Sequence, residues 1–364
     1  VRKQKVLYVF GGEKASGAEI VIERLMSYNL DYVEPHLFIS PGKFSNDLVN
    51  ASKTYPIIIV DRLRKLNRSS TGGFHFYLEA LKNYFIISSL VIKYARKNQI
   101  NCIHANTVVP ASYLIPAILF CDLFRIKKSW LWTDHDLKYF STVDNLSSKI
   151  CSNLYDKTLT VSHAVKAKYT SNRSVEVLYN GLDTRVFRPD DIIRKNFRIV
   201  NNFSETDIVF GIAATISPRK GQLLLVESFK EIQTEIPNAY LIIAGGYSDD
   251  SPAYNRRFMH AITGHHRIKH IGQISEMIAF YNGCDVVINN SSIEGSEPLG
   301  TTIYEAMACE KILIASRTGG TTEIIEDGVD GLLFEPGNKE ALKTIIKNIV
   351  QGKIDLELLK RNAR

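Results

Sequence analysis

Cysteine is scarce: five residues in 364 (Cys102, Cys121, Cys151, Cys284 and Cys309), none paired at CxxC spacing. An odd number so spread indicates neither a disulfide framework nor a zinc site, and a reducing cytosol suits it. Long apolar runs are also missing. The longest stretch free of acidic and basic side chains apart from His104, Ile103 to Cys121, contains Pro110, Pro116, Asn106, Thr107 and Ser112. It falls short of a span of ~20 apolar residues and reads as a buried helix. No n-region, h-region and cleavage site marks a signal peptide, although a start at Val1 leaves room for trimming at the extreme N-terminus. No continuous basic helix, finger or basic segment interleaved with aromatics is found, so nucleic acid is not an expected partner. The glycine-containing turn Gly11–Gly17 is neither GxGxxG nor GxxxxGK[ST], which disfavours a dehydrogenase and a P-loop ATPase.

What is present is ordinary globular material: 45% hydrophobic, 23% charged and 10% aromatic residues, enough for two buried cores. The net charge of +7 is uneven. Up to Thr184 there are 24 Lys and Arg against 15 Asp and Glu, net +9, which leaves 21 against 23, net −2. The basic half concentrates charge at Arg62, Arg64, Lys65 and Arg68, and again at Arg125, Lys127 and Lys128. Such clusters suit contact with something anionic, and equally a solvated surface.

Short β-branched runs alternate with helical patterns throughout, the mark of βαβ units and parallel sheets. Strands are predicted at Val6–Phe10, His36–Ser40, Ile57–Val60, Cys102–Ala105, Trp130–Thr133, Thr158–Val161 and Val175–Tyr179. The second half predicts Ile208–Ala213, Tyr240–Ala244, Lys269–Ile271, Val286–Asn289, Ile312–Ala315 and Gly331–Phe334. Helices are predicted between them, among others Phe76–Arg96, Ala111–Phe120, Leu223–Gln233, Thr301–Cys309 and Lys339–Val350. Two doubly wound α/β domains follow, 1–184 and 185–364, with the boundary in the turn-rich segment Asn180–Asp191. Open parallel sheets bind ligands beyond the carboxyl ends of their strands, so the two are expected to face one another across a cleft.

Chemistry concentrates at those ends. Gly300, Thr301 and Thr302 open a helix whose first N–H groups suit a phosphate. Glu297 precedes that helix and Glu305 lies one turn into it, as placed for carboxylates that grip hydroxyls on either side of a diphosphate. A nucleotide sugar has that form; acids that simply favour a helix start fit the same spacing. Ile216-Ser-Pro-Arg-Lys-Gly221 offers Arg219 and Lys220 at another strand end. Gly12 and Gly17 flank a turn where backbone can approach a ligand or take positive φ. His135, in Thr133-Asp-His-Asp136, is a donor to a sugar hydroxyl or to developing negative charge, or a loop histidine bonded to Asp134 or Asp136. His104 reads as a satisfied core residue.

Glu297-Pro-Leu-Gly-Thr-Thr-Ile-Tyr-Glu305 followed by Ala306-Met-Ala resembles the E-x7-E motif of the retaining family 4 glycosyltransferases of GT-B architecture. Asn180-Gly-Leu-Asp183, Phe187-Arg-Pro189, Ser217-Pro-Arg-Lys-Gly221, Thr318-Gly-Gly320, Glu323-Ile-Ile and Asp330-Gly-Leu-Leu-Phe334 match in order, so the resemblance covers essentially the whole chain. It implies that Glu305 binds the ribose diol and Glu297 the transferred sugar, with backbone N–H groups near Leu299 and Gly300. Lys220 would hold the diphosphate, with Arg219 and the Thr301–Thr302 helix end. His135 would lie by the reactive face of the sugar, and Gly12 and Gly17 would line the opposing loop. No metal or other cofactor is implied. The donor would be a UDP-hexose, UDP-glucose first and GDP-mannose next. The acceptor would be a glycan or lipid-linked glycan of envelope or exopolysaccharide synthesis. The site of action would be cytoplasmic, peripheral at the inner face of the plasma membrane, with the basic first domain on anionic lipid.

The chain also departs from the family. Thr215 stands where relatives often have Arg, and His104-Ala-Asn106 where many have His-x-His. Glu294 lies close enough to Glu297 to compete for its role. Relatives continue past Arg364 into a helix that returns to the first domain. A nucleotide-sugar epimerase on the same scaffold and a non-catalytic partner subunit are the competing readings.

Overall fold

The computed structural model describes residues 3–363 except 15, 52, 65–72, 140, 170–173 and 296, with backbone alone for 73–77. Lys65 and Arg68 of the first basic cluster, and Arg364, lie outside the described residues. Two compact units meet between Gly181 and Leu182, three residues before the boundary expected after Thr184.

The N-terminal unit holds β1 (Gln4–Phe10), β2 (Val33–Ile39), β3 (Ile57–Ile59), β4 (Cys102–Asn106), β5 (Ser129–Asp134), β6 (Lys157–Thr160) and β7 (Val175–Val177). They form one parallel sheet in the order β3-β2-β1-β4-β5-β6-β7. Its helices are α1 (Gly17–Tyr28), α2 (Lys43–Asn50), α3 (Gly73–Lys97), α4 (Val108–Tyr113), α5 (Ile115–Leu123), α6 (Thr142–Leu154) and α7 (His163–Lys166). Inward residues of α3, α5 and α6, such as Ile87, Val91, Ile118 and Cys151, pack with Leu7, Ile103 and Trp132 on one face of the sheet. Ile22, Met26, Phe44 and Leu48 of α1 and α2 cover the other.

The C-terminal unit repeats the plan with β8 (Ile208–Ala213), β9 (Ala239–Ala244), β10 (Ile268–His270), β11 (Val286–Asn289), β12 (Ile312–Ser316) and β13 (Leu332–Phe334). The order is β10-β9-β8-β11-β12-β13. Its helices are α8 (Asp191–Val200), α9 (Gln222–Ile232), α10 (Pro252–Ile262), α11 (Met277–Gly283), α12 (Thr301–Ala308), α13 (Thr321–Ile324), α14 (Lys339–Val350) and α15 (Leu356–Ala363). Central strands such as β11 and β12 are buried throughout, as a sheet covered on both faces requires.

One predicted helix is corrected. Ala111–Phe120 is two helices, α4 and α5, broken at Leu114. Pro116 has no N–H and its ring crowds the preceding turn, so the chain restarts there with Pro in the first turn of α5. Among the described residues, α2, α6, α8 and α15 were given no range of their own by the sequence. In α6 the exposed Val143, Leu146 and Ile150 blur the inward stripe that sequence reading relies on. In α8 the start is sealed by Asp190, whose carboxylate accepts the Ile193 N–H at 2.9 Å.

Candidate functional site

Strand order reverses in the C-terminal unit between β8 and β11, the point where an open α/β sheet leaves a crevice at its carboxyl ends. Lys220 follows β8 and Glu297 follows β11, so both lie beside that switch. Lys220 closes a 3₁₀ turn (Pro218–Lys220), and Gly221 takes the left-handed conformation at φ 63°. A side chain at Gly221 would meet the Asn290 carbonyl at 2.4 Å. The Asn290 amide donates to the Gly221 carbonyl at 2.7 Å, and the Ser292 N–H to the Arg219 carbonyl at 2.9 Å, so the two loops are tied together. On this platform the Lys220 ammonium pairs with the Glu297 carboxylate, which also accepts the Ser291 hydroxyl at 3.0 Å. The Gly320 N–H donates to the Glu297 carbonyl at 2.9 Å, bringing in the loop after β12.

Helix α12 begins at Thr301 with Gly300 as its cap residue, as predicted. Leu299 and Gly300 are buried; a side chain at Gly300 would press on Asn289 and Glu297 at about 3 Å. Thr301 and Thr302 are partly exposed at the helix end. Glu305 points inward and accepts the Tyr281 hydroxyl at 2.6 Å. It is therefore not a surface acid. Glu294 is exposed whereas Glu297, which the seven-residue gap to Glu305 favours, is buried against Lys220. Arg219 and Thr215 are exposed.

In the N-terminal unit the reversal lies between β1 and β4. Asn106 ends β4 and joins three elements there. Its amide donates to the Ala18 carbonyl in α1 at 3.3 Å, and its oxygen lies 2.9 Å from His135 Nε2. With the amide so oriented, Nε2–H donates to Asn106 and Nδ1 keeps the lone pair. Burial holds His135 at about 4, so the ring is neutral near pH 7. The hydrogen bond at Nε2 thus goes to Asn106, a partner that the sequence did not suggest. Asp134 turns inward, to Lys168 at 2.6 Å and Tyr169 at 2.5 Å, and accepts the Asp136 N–H at 3.1 Å. Burial and the Asp134 charge drive the Tyr169 pKa far up, which keeps its hydroxyl a donor.

His104 is a core residue as expected: buried, bonded to Thr133 Oγ1 at 2.7 Å, and pushed down to about 4 by burial and by His135. Gly12 is a close-approach position, since a side chain there would meet the Glu19 carboxylate at 2.4 Å; Gly17 opens α1 with nothing within 4 Å.

Residues 193–364 match the family model described as glycosyl transferases group 1. This part of the chain is a group 1 glycosyltransferase domain. The chain is 30% identical to YtcC of Bacillus subtilis over 203 residues, 52% of this chain and 49% of YtcC. It is 30% identical to the lipopolysaccharide 1,2-N-acetylglucosaminetransferase of Salmonella typhimurium over 210 residues, 54% of each chain. It thus spans about half the length of the curated relatives it matches. Among solved structures, Anabaena HepE in complex with UDP superposes with a TM-score of 0.81 at 21% identity, covering 99% of this chain and 93% of HepE. That similarity is one of fold, the GT-B pairing of two Rossmann-like units.

The group 1 domain brings Lys220, Glu297 and the start of α12 together, with Glu305 beneath the same helix. His135, Gly12 and Gly17 belong to the other unit and gather at its own switch point. Sequence reading missed Ser291, Asn290 and Tyr281, the residues that hold the loops and the two carboxylates. The signal for the first two was the polar run Asn289-Asn-Ser-Ser292 directly after a buried strand. Tyr281 gave none, because a buried tyrosine on a short helix looks like core. Among the described residues no three His, Cys, Asp or Glu side chains converge as metal ligands. No described helix is long and apolar enough to cross a membrane.

Proposed function

We propose that the chain transfers a hexosyl group, glucose from UDP-glucose first among the candidates, to a glycan or lipid-linked glycan acceptor with retention of anomeric configuration. The observation that carries the reading is the Lys220–Glu297 pair at the start of α12, on the switch point of a group 1 domain. A donor diphosphate would take the Lys220 ammonium and the α12 N–H groups. Glu297, released from Lys220, would then accept hydroxyls of the transferred sugar, and Glu305 those of the ribose.

In the transfer the anomeric C–O bond to the diphosphate breaks, and its electron pair leaves with the nucleotide. The acceptor oxygen bonds the same face of the anomeric carbon and gives its proton to the departing phosphate oxygen. Charge accumulates on the diphosphate, so Lys220 and the helix end act where they lower the barrier, with Arg219 on the same loop. No metal takes part in this scheme. Neutral His135 would accept a sugar hydroxyl through Nδ1, and Gly12 and Gly17 would allow backbone close to the donor. The reaction would run on the cytoplasmic side, at the membrane surface.

Similar proteins favour this class: HepE was crystallised with UDP-glucose, and the Salmonella relative is named for transfer of N-acetylglucosamine. The test is incubation with UDP-glucose, UDP-N-acetylglucosamine and GDP-mannose while nucleoside diphosphate release and sugar identity are followed. Slow release of UDP with unchanged glucose supports the proposal. An isomerised sugar would assign an epimerase. No turnover and no binding of any donor would leave a non-catalytic subunit.

A further inference from the structure

The turn that carries Lys220 is braced from beneath by a buried amide. Gln222, the first residue of α9, is fully buried. A primary amide in such a place costs free energy unless its polar atoms find partners. The Gln222 side chain finds them on three backbone groups of one loop. Its Nε2 donates to the Ala214 carbonyl at 3.3 Å and to the Thr215 carbonyl at 3.0 Å, and its oxygen accepts the Ser217 N–H at 3.3 Å. The Ser217 carbonyl in turn accepts the Lys220 N–H at 3.1 Å. A short relay of hydrogen bonds therefore joins the Gln222 amide to the backbone of Lys220.

The neighbours of this turn are fixed as well. The Ile216 N–H donates to the Gly246 carbonyl at 2.8 Å, and the Ile216 carbonyl accepts the Ser248 N–H at 3.2 Å. The start of a helix ordinarily presents free N–H groups to an anion. In α9 the Leu223 N–H instead donates to the Tyr254 hydroxyl of α10 at 2.9 Å. That donor is closed to a phosphate, so what this turn can offer depends the more on where the Lys220 ammonium stands. Its place follows from the backbone of residues 214–221, and Gln222 reaches from the end of that segment back to its beginning.

We infer that Gln222 is a positioning residue for Lys220: its amide holds residues 214–221 in the conformation that aims the ammonium at Glu297 and at a leaving diphosphate. A charge lowers a barrier only when it is held in place before the reaction, and a misplacement of ~1 Å costs on the order of 10² in rate. Being fully buried, Gln222 meets no substrate itself. The pairing of Lys220 with Glu297 belongs to the chain without ligand; only the effect on a diphosphate rests on the hexosyl-transfer proposal.

The test uses Gln222→Met, which keeps the length of the side chain and loses its hydrogen bonds, in two measurements. Without any donor, the coupling between Lys220→Met and Glu297→Gln in urea unfolding should fall to about half or less in the Gln222→Met background. With UDP-glucose, Gln222→Met should lower kcat roughly tenfold while KM stays within about twofold, and Lys220→Met should then cost about tenfold instead of ~10²–10³. Ile346→Val thins the core beneath α9 without touching the loop and should leave both readouts unchanged. Circular dichroism melts verify folding. If Gln222→Met does not fold, Gln222→Glu takes its place, since it keeps an acceptor for the Ser217 N–H and gives up the amide donors. Unchanged coupling, an equal loss in Ile346→Val, or the full cost of Lys220→Met in the Gln222→Met background would overturn the inference. Should the natural chain turn over no donor, the hexosyl-transfer proposal fails by itself and the coupling measurement alone decides for Gln222.

Discussion

Removing Lys220 and removing Glu297 should not cost the same. The Glu297 side chain is 11% exposed and the Lys220 side chain 30%. In Lys220→Met the carboxylate stays in place and keeps the Ser291 hydroxyl at 3.0 Å. In Glu297→Gln the ammonium has water within reach. Exposed pairs are worth ~0–1 kcal/mol, and breaking a buried pair from one side costs ~3–5 kcal/mol. This pair lies between those limits, so Lys220→Met should destabilise by about 2 kcal/mol and Glu297→Gln by about 1 kcal/mol. The double variant should recover about 1 kcal/mol of their sum. Urea unfolding followed by circular dichroism reads these values. Trp130 and Trp132 both lie in the N-terminal unit, so their fluorescence reports that unit separately. Equal single costs that add to within ~0.3 kcal/mol would refute the claim that the pair organises these loops. In turnover, Lys220→Met should lose ~10²–10³ in kcat, the range for a removed charge-stabilising donor. A loss below tenfold would remove Lys220 from the diphosphate site.

Two further predictions concern buried groups. Tyr281→Phe deletes the 2.6 Å hydrogen bond to Glu305 and should cost ~1–2 kcal/mol in stability. UDP binding measured by calorimetry should weaken about tenfold, and unchanged affinity would separate Glu305 from the nucleotide. His104, held at about 4 against an ordinary 6.5, is neutral in the folded protein while the unfolded chain takes up a proton. Its contribution is complete above pH ~6.5 and is lost as pH falls toward 4, up to about 3 kcal/mol. Denaturant melts at pH 7.5 and 4.5 should show a smaller drop in His104→Gln than in the natural protein, and identical drops would refute this.

All thirteen strands among the described residues were legible in the sequence because a doubly covered parallel sheet writes itself as short apolar runs at regular spacing. The start of α12 was legible too, since glycine and threonine after a buried strand leave little else to form. The break at Leu114 was less so, because the proline responsible lies inside a continuous apolar stretch.

Local sequence therefore determined where strands and helix ends fall, and with them the loops that carry Lys220, Glu297, His135 and Gly12. Tertiary structure alone decided which of those side chains meet. Lys220 and Glu297 are 77 residues apart in the chain and pair because β8 and β11 are neighbours. Glu294 and Glu297 are chemically alike, and burial separates them. His135 was placed by its strand, but its hydrogen bond went to Asn106, 29 residues away, because β4 runs alongside β5. Backbone preference acts within a few residues, whereas the partners of a buried polar group are set by strands that become adjacent only when the sheet closes.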